Sequence, residues 1–118
     1  MPATITSSLT ATGSVTLVKP DTDTLTHVGI YGTYGTVTFV VEATLDGTNW
    51  APVGVLLRTA LTSTPLSSTI SPADNAVLMY RVPSEACVGV RARVTAISSG
   101  TVSFILKSNS YILPVTPG

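Results

Sequence analysis

Polar and apolar residues alternate along most of this chain, which is the pattern of half-buried β-strands. The clearest alternating segments are residues 36–45, 87–97 and 101–107. Weaker strands are predicted at residues 14–18, 26–31, 50–58, 66–70 and 76–82. No segment repeats apolar residues with the period of about 3.6 that an amphipathic helix requires. The pattern therefore predicts an all-β chain.

Turn-forming residues separate the predicted strands. Residues 46–49, with the sequence DGTN, form a hairpin loop in which Gly47 is suited to a positive φ. Residues 98–100, with the sequence SSG, form a second hairpin loop. Pro52 marks the strand after the first loop as an edge strand or a bulged one. Together the alternation and the turns predict seven to eight short antiparallel strands. These could form a β-sandwich or a jelly-roll-like barrel, and the pattern does not decide between the two.

The length of 118 residues is that of one domain with a substantial core, so residues 1–118 are expected to form a single domain. Its two ends, residues 1–12 and 108–118, contain no charged side chain. Both carry apolar residues, and we expect them to be terminal arms that pack on neighbouring subunits. The apolar side chains expected at such interfaces are Ile5, Leu9, Tyr111, Ile112 and Leu113.

Charged residues are scarce. They make up 10% of the chain, and six cationic side chains balance six anionic ones, whereas a typical soluble domain has about 25%. This composition does not build the basic field that nucleic-acid binding requires. Polar surface must come mainly from the 20 Thr and 13 Ser residues. Strands with such a surface are expected to meet other proteins.

The chain shows no sign of secretion or membrane insertion. Cys87 is the single cysteine, so no disulfide can form within the chain. The first residues lack the basic and apolar regions of a signal peptide, and no apolar run approaches the roughly 18 residues of a membrane span. Synthesis and folding in a cytoplasm are expected, with no membrane partner.

Catalytic chemistry is not predicted. His27 is the only histidine, so a histidine-based metal cluster cannot form, and no serine lies in a nucleophile elbow. Cys87 is expected to be a packing thiol. Asp46 and Asp74 have the positions of turn formers, and the acidic residues of segment 21–23 fit a solvated turn better than a calcium loop. We therefore expect no enzyme, metal or cofactor.

Two groups of residues could serve binding. Tyr31, Tyr34 and Trp50 lie near predicted turns, where aromatic rings could stack on a sugar. Arg91 and Arg93 fall on one face of a strand, and Glu42 on the polar face of another strand could pair with either of them. Because arginine is enriched where proteins meet, these charged residues are also candidates for interface anchors.

Two segments resemble a known class of proteins. Residues 36–50 read TVTFVVEATLDGTNW, which is similar to the strand, Asp-Gly-x-x-Trp, strand hairpin of small β-sandwich domains in tailed-phage structural proteins. Residues 88–95, VGVRARVT, followed by 99–102, SGTV, resemble the closing hairpin of those domains. Together these segments cover about a third of the chain, in the expected order.

The resemblance implies a virion component without an active site. Its favoured form is a capsid decoration, or cement, protein that binds the outside of a phage head and stabilises it. The implied partners are further copies of the chain in a homo-oligomer, with a trimer as one arrangement, and the major capsid protein. The alternative is a carbohydrate-binding or adhesive β-sandwich, including a tail, baseplate or head-fibre module.

Overall fold

The computed structural model describes residues 3–57 and 69–110, and this part of the chain forms ten β-strands and no helix. The strands are β1 (Thr4–Leu9), β2 (Gly13–Val18), β3 (Leu25–Tyr34), β4 (Val37–Thr44), β5 (Trp50–Pro52), β6 (Leu56–Leu57), β7 (Thr69–Ile70), β8 (Leu78–Pro83), β9 (Gly89–Ile97) and β10 (Gly100–Asn109). A helix that could cross a lipid bilayer does not occur among the described residues.

The strands form two antiparallel sheets that pack as a sandwich. Sheet I has the order β1-β10-β3-β8-β6, and sheet II has the order β2-β9-β4-β5, with β7 also paired to β4. If the two-residue strands β6 and β7 are left out and the other eight strands are renumbered 1 to 8 along the chain, β8, β9 and β10 become strands 6, 7 and 8. The sheet orders are then 1-8-3-6 and 2-7-4-5.

This is the strand order of a jelly roll. Such a fold can be described as one long hairpin, with the strand pairs 1/8, 2/7, 3/6 and 4/5, that is wrapped into two sheets. Because a jelly roll is itself made of two packed sheets, the two predicted alternatives, a β-sandwich and a jelly roll, both describe this fold.

The core lies between the sheets and is made by the inward half of each alternating pattern. Aliphatic side chains of β2, β3, β4, β8, β9 and β10 are buried there. Phe39 of sheet II contacts two aromatic rings of sheet I edge to face, with ring centroids 6.2 Å from Tyr80 and 5.1 Å from Phe104. Such pairs add stability beyond the buried area and hold the two sheets together.

The first predicted hairpin loop, residues 46–49, joins β4 and β5, which pair in sheet II. In this loop, the carboxylate of Asp46 accepts hydrogen bonds from the backbone N–H groups of Thr48 and Asn49, each at 2.8 Å. These bonds hold the pKa of Asp46 far below its ordinary value, with the Asn49 N–H as the largest contribution.

The second hairpin prediction was wrong, because residues 98–100 carry the chain from β9 in sheet II to β10 in sheet I, and these two strands pair with other strands. In this second loop, Gly100 has a φ of 83°, and a Cβ there would lie 2.2 Å from the Thr33 carbonyl oxygen. Only glycine fits this position.

The N-terminal arm is the main difference from the sequence prediction. Within the segment 1–12, Thr4–Leu9 forms β1 and pairs with β10 along its whole length, so it belongs to the sheet of its own chain. At the other end, Ser108 and Asn109 belong to β10, and residues 111–118 lie outside the described part. The arms were predicted from their lack of charge, but lack of charge does not distinguish an arm from a strand, because strand pairing uses backbone groups.

The predicted strand 50–58 is also divided. Trp50–Pro52 pairs with β4 in sheet II, whereas Leu56–Leu57 pairs with β8 in sheet I. Between them Val55 is fully buried, which lets the chain cross from one sheet to the other. Pro52 ends the short edge strand, as its lack of an N–H donor favours.

Candidate interaction surfaces

The outer face of sheet II carries a charged cluster that we call the glutamate–arginine cluster: Glu42, Arg91 and Arg93. Glu42 lies on β4 directly opposite Arg91 of β9, and Arg93 is two residues further along β9. Arg91 Nε donates to Glu42 Oε1 at 2.8 Å, while Arg93 donates Nε to Oε1 at 2.9 Å and a second nitrogen to Oε2 at 3.3 Å. The Glu42 side chain is only 7% exposed, compared with 24% for Arg91 and 43% for Arg93.

These contacts set the charge state of the cluster. Hydrogen bonds from Arg93 and then from Arg91 hold the pKa of Glu42 below its ordinary value of 4.5, although burial opposes this. The same contact raises the pKa of Arg93. One carboxylate therefore accepts from both guanidinium groups, so the three charged groups are hydrogen-bonded to one another and together keep one net positive charge.

Trp50 extends the cluster toward the edge of sheet II. The Arg91 guanidinium carbon lies 4.3 Å from the centroid of the indole ring, a cation–π contact. A Cβ on Gly89 would lie 3.0 Å from Trp50 Cη2 and 3.2 Å from Thr44 Cγ2, so the ring covers this glycine closely. Trp50 is half-buried by these neighbours.

The outer face of sheet I is different, because apolar side chains lie at its centre. Ile105, Gly29 and Met79 are directly opposite one another on β10, β3 and β8. Tyr31, two residues along β3, is 39% exposed, and Met79 is 45% exposed. Val77, immediately before β8, is 72% exposed. We call Tyr31, Val77, Met79 and Ile105 the apolar patch.

A row that contains two cationic side chains borders the apolar patch. Lys107, His27 and Arg81 are directly opposite one another on β10, β3 and β8, and Lys107 and Arg81 are exposed. None of the strands β1, β3, β6, β8 and β10 contains an aspartate or a glutamate. Sheet I therefore presents apolar and cationic groups without a carboxylate on its own strands.

A polar cluster that the sequence analysis did not predict closes one end of the sandwich. Lys19 is 4% exposed, and its Nζ donates to the carbonyl oxygens of Cys87 at 2.6 Å and Pro20 at 2.9 Å. Burial lowers the pKa of Lys19. Asp23, 3% exposed, accepts hydrogen bonds from the hydroxyls of Ser108 at 2.7 Å and Ser110 at 3.1 Å. The Ser108 bond is the largest cause of the lowered pKa of Asp23.

This polar cluster was missed because lysine and aspartate beside a proline normally indicate a solvated turn. The segment 21–23, weighed as a calcium loop, instead directs Asp23 to the hydroxyl groups of Ser108 in the last strand and Ser110 just after it. Groups of three or more potential metal-ligating side chains do not occur in the described part of the chain. His27 has Lys107 and Arg81 as its cross-strand neighbours, and Cys87 is half-buried.

The structure does not bring the predicted sugar-binding residues together. Tyr31 lies on the outer face of sheet I, whereas Trp50 lies on the outer face of sheet II. Tyr34 is 3% exposed, and its hydroxyl donates to the Ala76 carbonyl oxygen at 2.7 Å inside the fold. These three rings cannot form one stacking platform, because the whole core separates the two that are accessible.

The predicted interface residues have mixed positions. Glu42, Arg91 and Arg93 form the cluster described above. Ile5 and Leu9 are partly buried against the core of their own chain rather than on free arms. Tyr111, Ile112 and Leu113 lie outside the described residues.

The fold is shared with a prophage-derived protein. The sequence matches no protein-family model and no curated protein sequence. The crystal structure of the SPBc2 prophage-derived protein YomS matches with a TM-score of 0.73 at 12% identity, covering 92% of this chain and 94% of YomS. This similarity shows a common fold.

Two further solved structures match with lower TM-scores. One is a subunit of Bacillus endospore appendages described as disulfide-linked pili, with a TM-score of 0.43, 14% identity and coverage of 94% of this chain and 88% of that chain. The other is the K1 cleaved adhesin domain of Lys-gingipain from Porphyromonas gingivalis W83, with a TM-score of 0.45, 10% identity and coverage of 87% and 66%.

Proposed function

We propose that this chain is a structural subunit of a phage particle, with decoration of the outer surface of the head as its favoured role. The observation that carries the proposal is the outer face of sheet I, where the apolar patch lies beside cationic residues with no carboxylate on the same strands. The fold shared with a prophage-derived protein supports the same class. The proposed partners are copies of this chain and the major capsid protein.

The apolar patch supports binding because large exposed apolar side chains gathered on one face mark surfaces that other proteins cover. Covering Tyr31 and Met79 would remove their remaining apolar surface from water, at about 25 cal/mol for each Å² buried. Arg81 and Lys107 would add attraction to an acidic partner surface and increase the rate of encounter at low salt. A capsid surface with apolar and acidic groups fits this description.

Attachment to phage heads that lack this protein tests the proposal. We expect the purified chain to co-sediment with such heads and to appear on their outer surface in cryo-electron microscopy. The double variant Tyr31→Ser/Met79→Ser should bind at least about tenfold more weakly, because central apolar contacts dominate interface energies. Higher salt should also weaken attachment, since Arg81 and Lys107 contribute electrostatically.

Val18→Ser is the matched control. Val18 is 78% exposed and lies on β2 of sheet II, away from the apolar patch. This variant removes an exposed apolar side chain of similar type and should leave attachment unchanged. Equal loss in both variants would contradict a role for the apolar patch. Finding the chain only on tails or baseplates would replace the decoration role with that of a tail component.

A further inference from the structure

Strand β1 forms one edge of sheet I and has none of the features that usually protect an edge. It spans Thr4–Leu9, with the sequence TITSSL, and contains no charged residue, no proline and no break in its register with β10. Natural proteins commonly protect edge strands with lysine, proline, a bulge or a very short length, because an unprotected edge pairs with other strands.

The opposite edges of both sheets are protected. In the described part of the chain, β5 has three residues and ends at Pro52, while β6 and β7 have two residues each. On the β1 side, β1 and β2 have six residues each and contact one another. The two sides of the sandwich therefore differ in the length and composition of the edge that they offer.

The register between β1 and β10 identifies which backbone N–H and C=O groups of β1 remain available to pair with a further strand. The Ser108 N–H donates to the Ala3 carbonyl oxygen at 2.9 Å, so these opposed residues form a hydrogen-bonded pair. Hydrogen-bonded and non-hydrogen-bonded pairs alternate in an antiparallel ladder. Every second residue after Ala3 therefore bonds to β10, and the residues between them point their N–H and C=O groups away from the sheet. Those residues are Thr4, Thr6 and Ser8.

We infer that β1 pairs with β1 of a second copy of this chain, antiparallel and with Thr6 on the two-fold axis. In this register Thr6 is opposite the Thr6 of the other copy, and Thr4 is opposite its Ser8. Each facing pair can exchange two backbone hydrogen bonds. The two copies of sheet I join into one continuous sheet, an isologous contact in which both copies use the same surface.

The side chains of β1 suit this contact. Thr4, Thr6 and Ser8 are exposed, small and uncharged, so two copies can approach without steric or electrostatic conflict. Ile5 and Leu9 are only partly buried against the core. A second strand beside β1 covers their open side and adds apolar burial to the backbone hydrogen bonds. The inference deepens the proposed structural role, on which it rests for its biological meaning, by naming the first partner and the surface.

Substitution at Thr6 separates backbone pairing from side-chain contact. Thr6→Pro removes an N–H that points away from β10, so the fold of one copy loses no hydrogen bond. We expect the dimer dissociation constant of this variant, measured by analytical ultracentrifugation, to rise at least about tenfold. Thr6→Ala keeps the N–H and is the matched control, with a dissociation constant within about twofold of the wild type.

Cysteine crosslinking tests the register in a Cys87→Ser background. Directly opposed residues of a hydrogen-bonded pair have Cα atoms about 5.5 Å apart, which a disulfide can span. Thr6→Cys should therefore give a covalent dimer on mild oxidation. Thr4→Cys alone should not, because its two copies lie four residues apart along the strands, about 14 Å. The double variant Thr4→Cys/Ser8→Cys should crosslink again.

Three outcomes would overturn the inference. They are a monomeric wild type at all concentrations tested, an unchanged dissociation constant in Thr6→Pro, and crosslinking of Thr4→Cys in place of Thr6→Cys. The head-attachment assay gives an independent result. A chain that attaches to heads but does not pair through β1 keeps its structural role and loses this contact, whereas a chain that pairs through β1 but attaches to no particle loses the proposed role alone.

Discussion

The outer faces of the two sheets handle their charged residues in opposite ways. On sheet II, Glu42 accepts from both Arg91 and Arg93, and the indole of Trp50 covers Arg91. On sheet I, Arg81 and Lys107 lie on strands without any carboxylate, beside the apolar patch. Both faces belong to the same sandwich and are built from the same alternation of inward and outward residues.

This difference suggests that the two faces have different roles, one in stability and the other in binding. A carboxylate that is buried and shared by two guanidinium groups has little left to offer a partner, so the sheet II face mainly stabilises its own fold. Exposed methionine and tyrosine, beside cations whose own described strands offer no carboxylate, gain more from a partner than from solvent. We expect substitutions on sheet II to change stability and those on sheet I to change binding.

The largest difference in stability between variants of the two faces is expected when one glycine on each face is replaced by alanine: Gly89 on sheet II and Gly29 on sheet I. Gly89→Ala places a Cβ 3.0 Å from Trp50 Cη2 and 3.3 Å from the Leu17 carbonyl oxygen, and that backbone atom cannot rotate away. We expect a loss of about 2 kcal/mol in the free energy of unfolding, which is typical of overpacking. Chemical denaturation measures this loss, and a shift of the Trp50 emission spectrum should accompany it.

Gly29→Ala on sheet I is the matched comparison. Its Cβ would lie 2.9 Å from Ile105 Cγ2, the branch methyl of a half-buried side chain on the outer face, which makes room by rotating about χ1. We expect a loss below about 1 kcal/mol and no change in Trp50 emission. Equal losses for the two variants would contradict the role given to the backbone contact beside Gly89.

Removal of the shared carboxylate should have the next largest effect. Glu42→Ala leaves both guanidinium groups of the cluster without their acceptor, and we expect a loss of about 1 to 2 kcal/mol after allowing for solvent screening of the arginines. Glu85→Ala, which removes an exposed carboxylate outside the strands, should change stability by less than about 0.5 kcal/mol. Thermal and denaturant unfolding of the two variants give the comparison.

The contribution of Glu42 should depend on pH in a defined direction. Its pKa in the folded chain lies below the ordinary 4.5, so its stabilisation is present above that value and is lost as the pH falls through the folded pKa. The stability difference between the wild type and Glu42→Ala should therefore shrink between about pH 7 and about pH 3. A difference that stays constant over this range would show that the carboxylate acts through packing alone.

The smallest effect on stability is expected from the apolar patch. Tyr31 and Met79 are 39% and 45% exposed, so Tyr31→Ser and Met79→Ser should each lower the free energy of unfolding by less than about 1 kcal/mol. The same substitutions are expected to weaken head attachment most. A large loss of stability with unchanged attachment would reverse the roles assigned to the two faces.

Several features of the fold were predictable because they depend on local chemistry. The alternation in residues 36–45 and 87–97 predicted β4 and β9, with strand ends within two residues of those observed. Asp46 marked the β4–β5 hairpin through side-chain capping, and Gly100 marked a turn through its positive φ; both are properties of single residues. That the turn at Gly100 crosses between the sheets was not predictable, because it depends on which strands β9 and β10 pair with. The proximity of Glu42 to the two arginines could also be anticipated from polar positions on neighbouring strands.

The assignment of the ends and of the aromatic residues could not be predicted in the same way. An uncharged, weakly apolar segment such as residues 4–9 is equally compatible with an arm and with an edge strand, and only the vacant side of β10 decided between them. Tyr31 and Tyr34 are three residues apart on β3, so period-two alternation places them on opposite faces, but which face is the core depends on the strands that pack around β3. Pairing across long sequence separations determines these positions.

The sequence by itself determined that this chain is an all-β domain with few charges, since alternation and composition are local properties that survive any arrangement of the strands. The tertiary structure alone decided that the strands form a jelly roll, that both arginines of sheet II share one carboxylate and that sheet I carries only cationic charged side chains on its strands. The reason is physical: which outward side chains become neighbours depends on which strands lie side by side, and β3, β8 and β10 are brought together from distant parts of the chain.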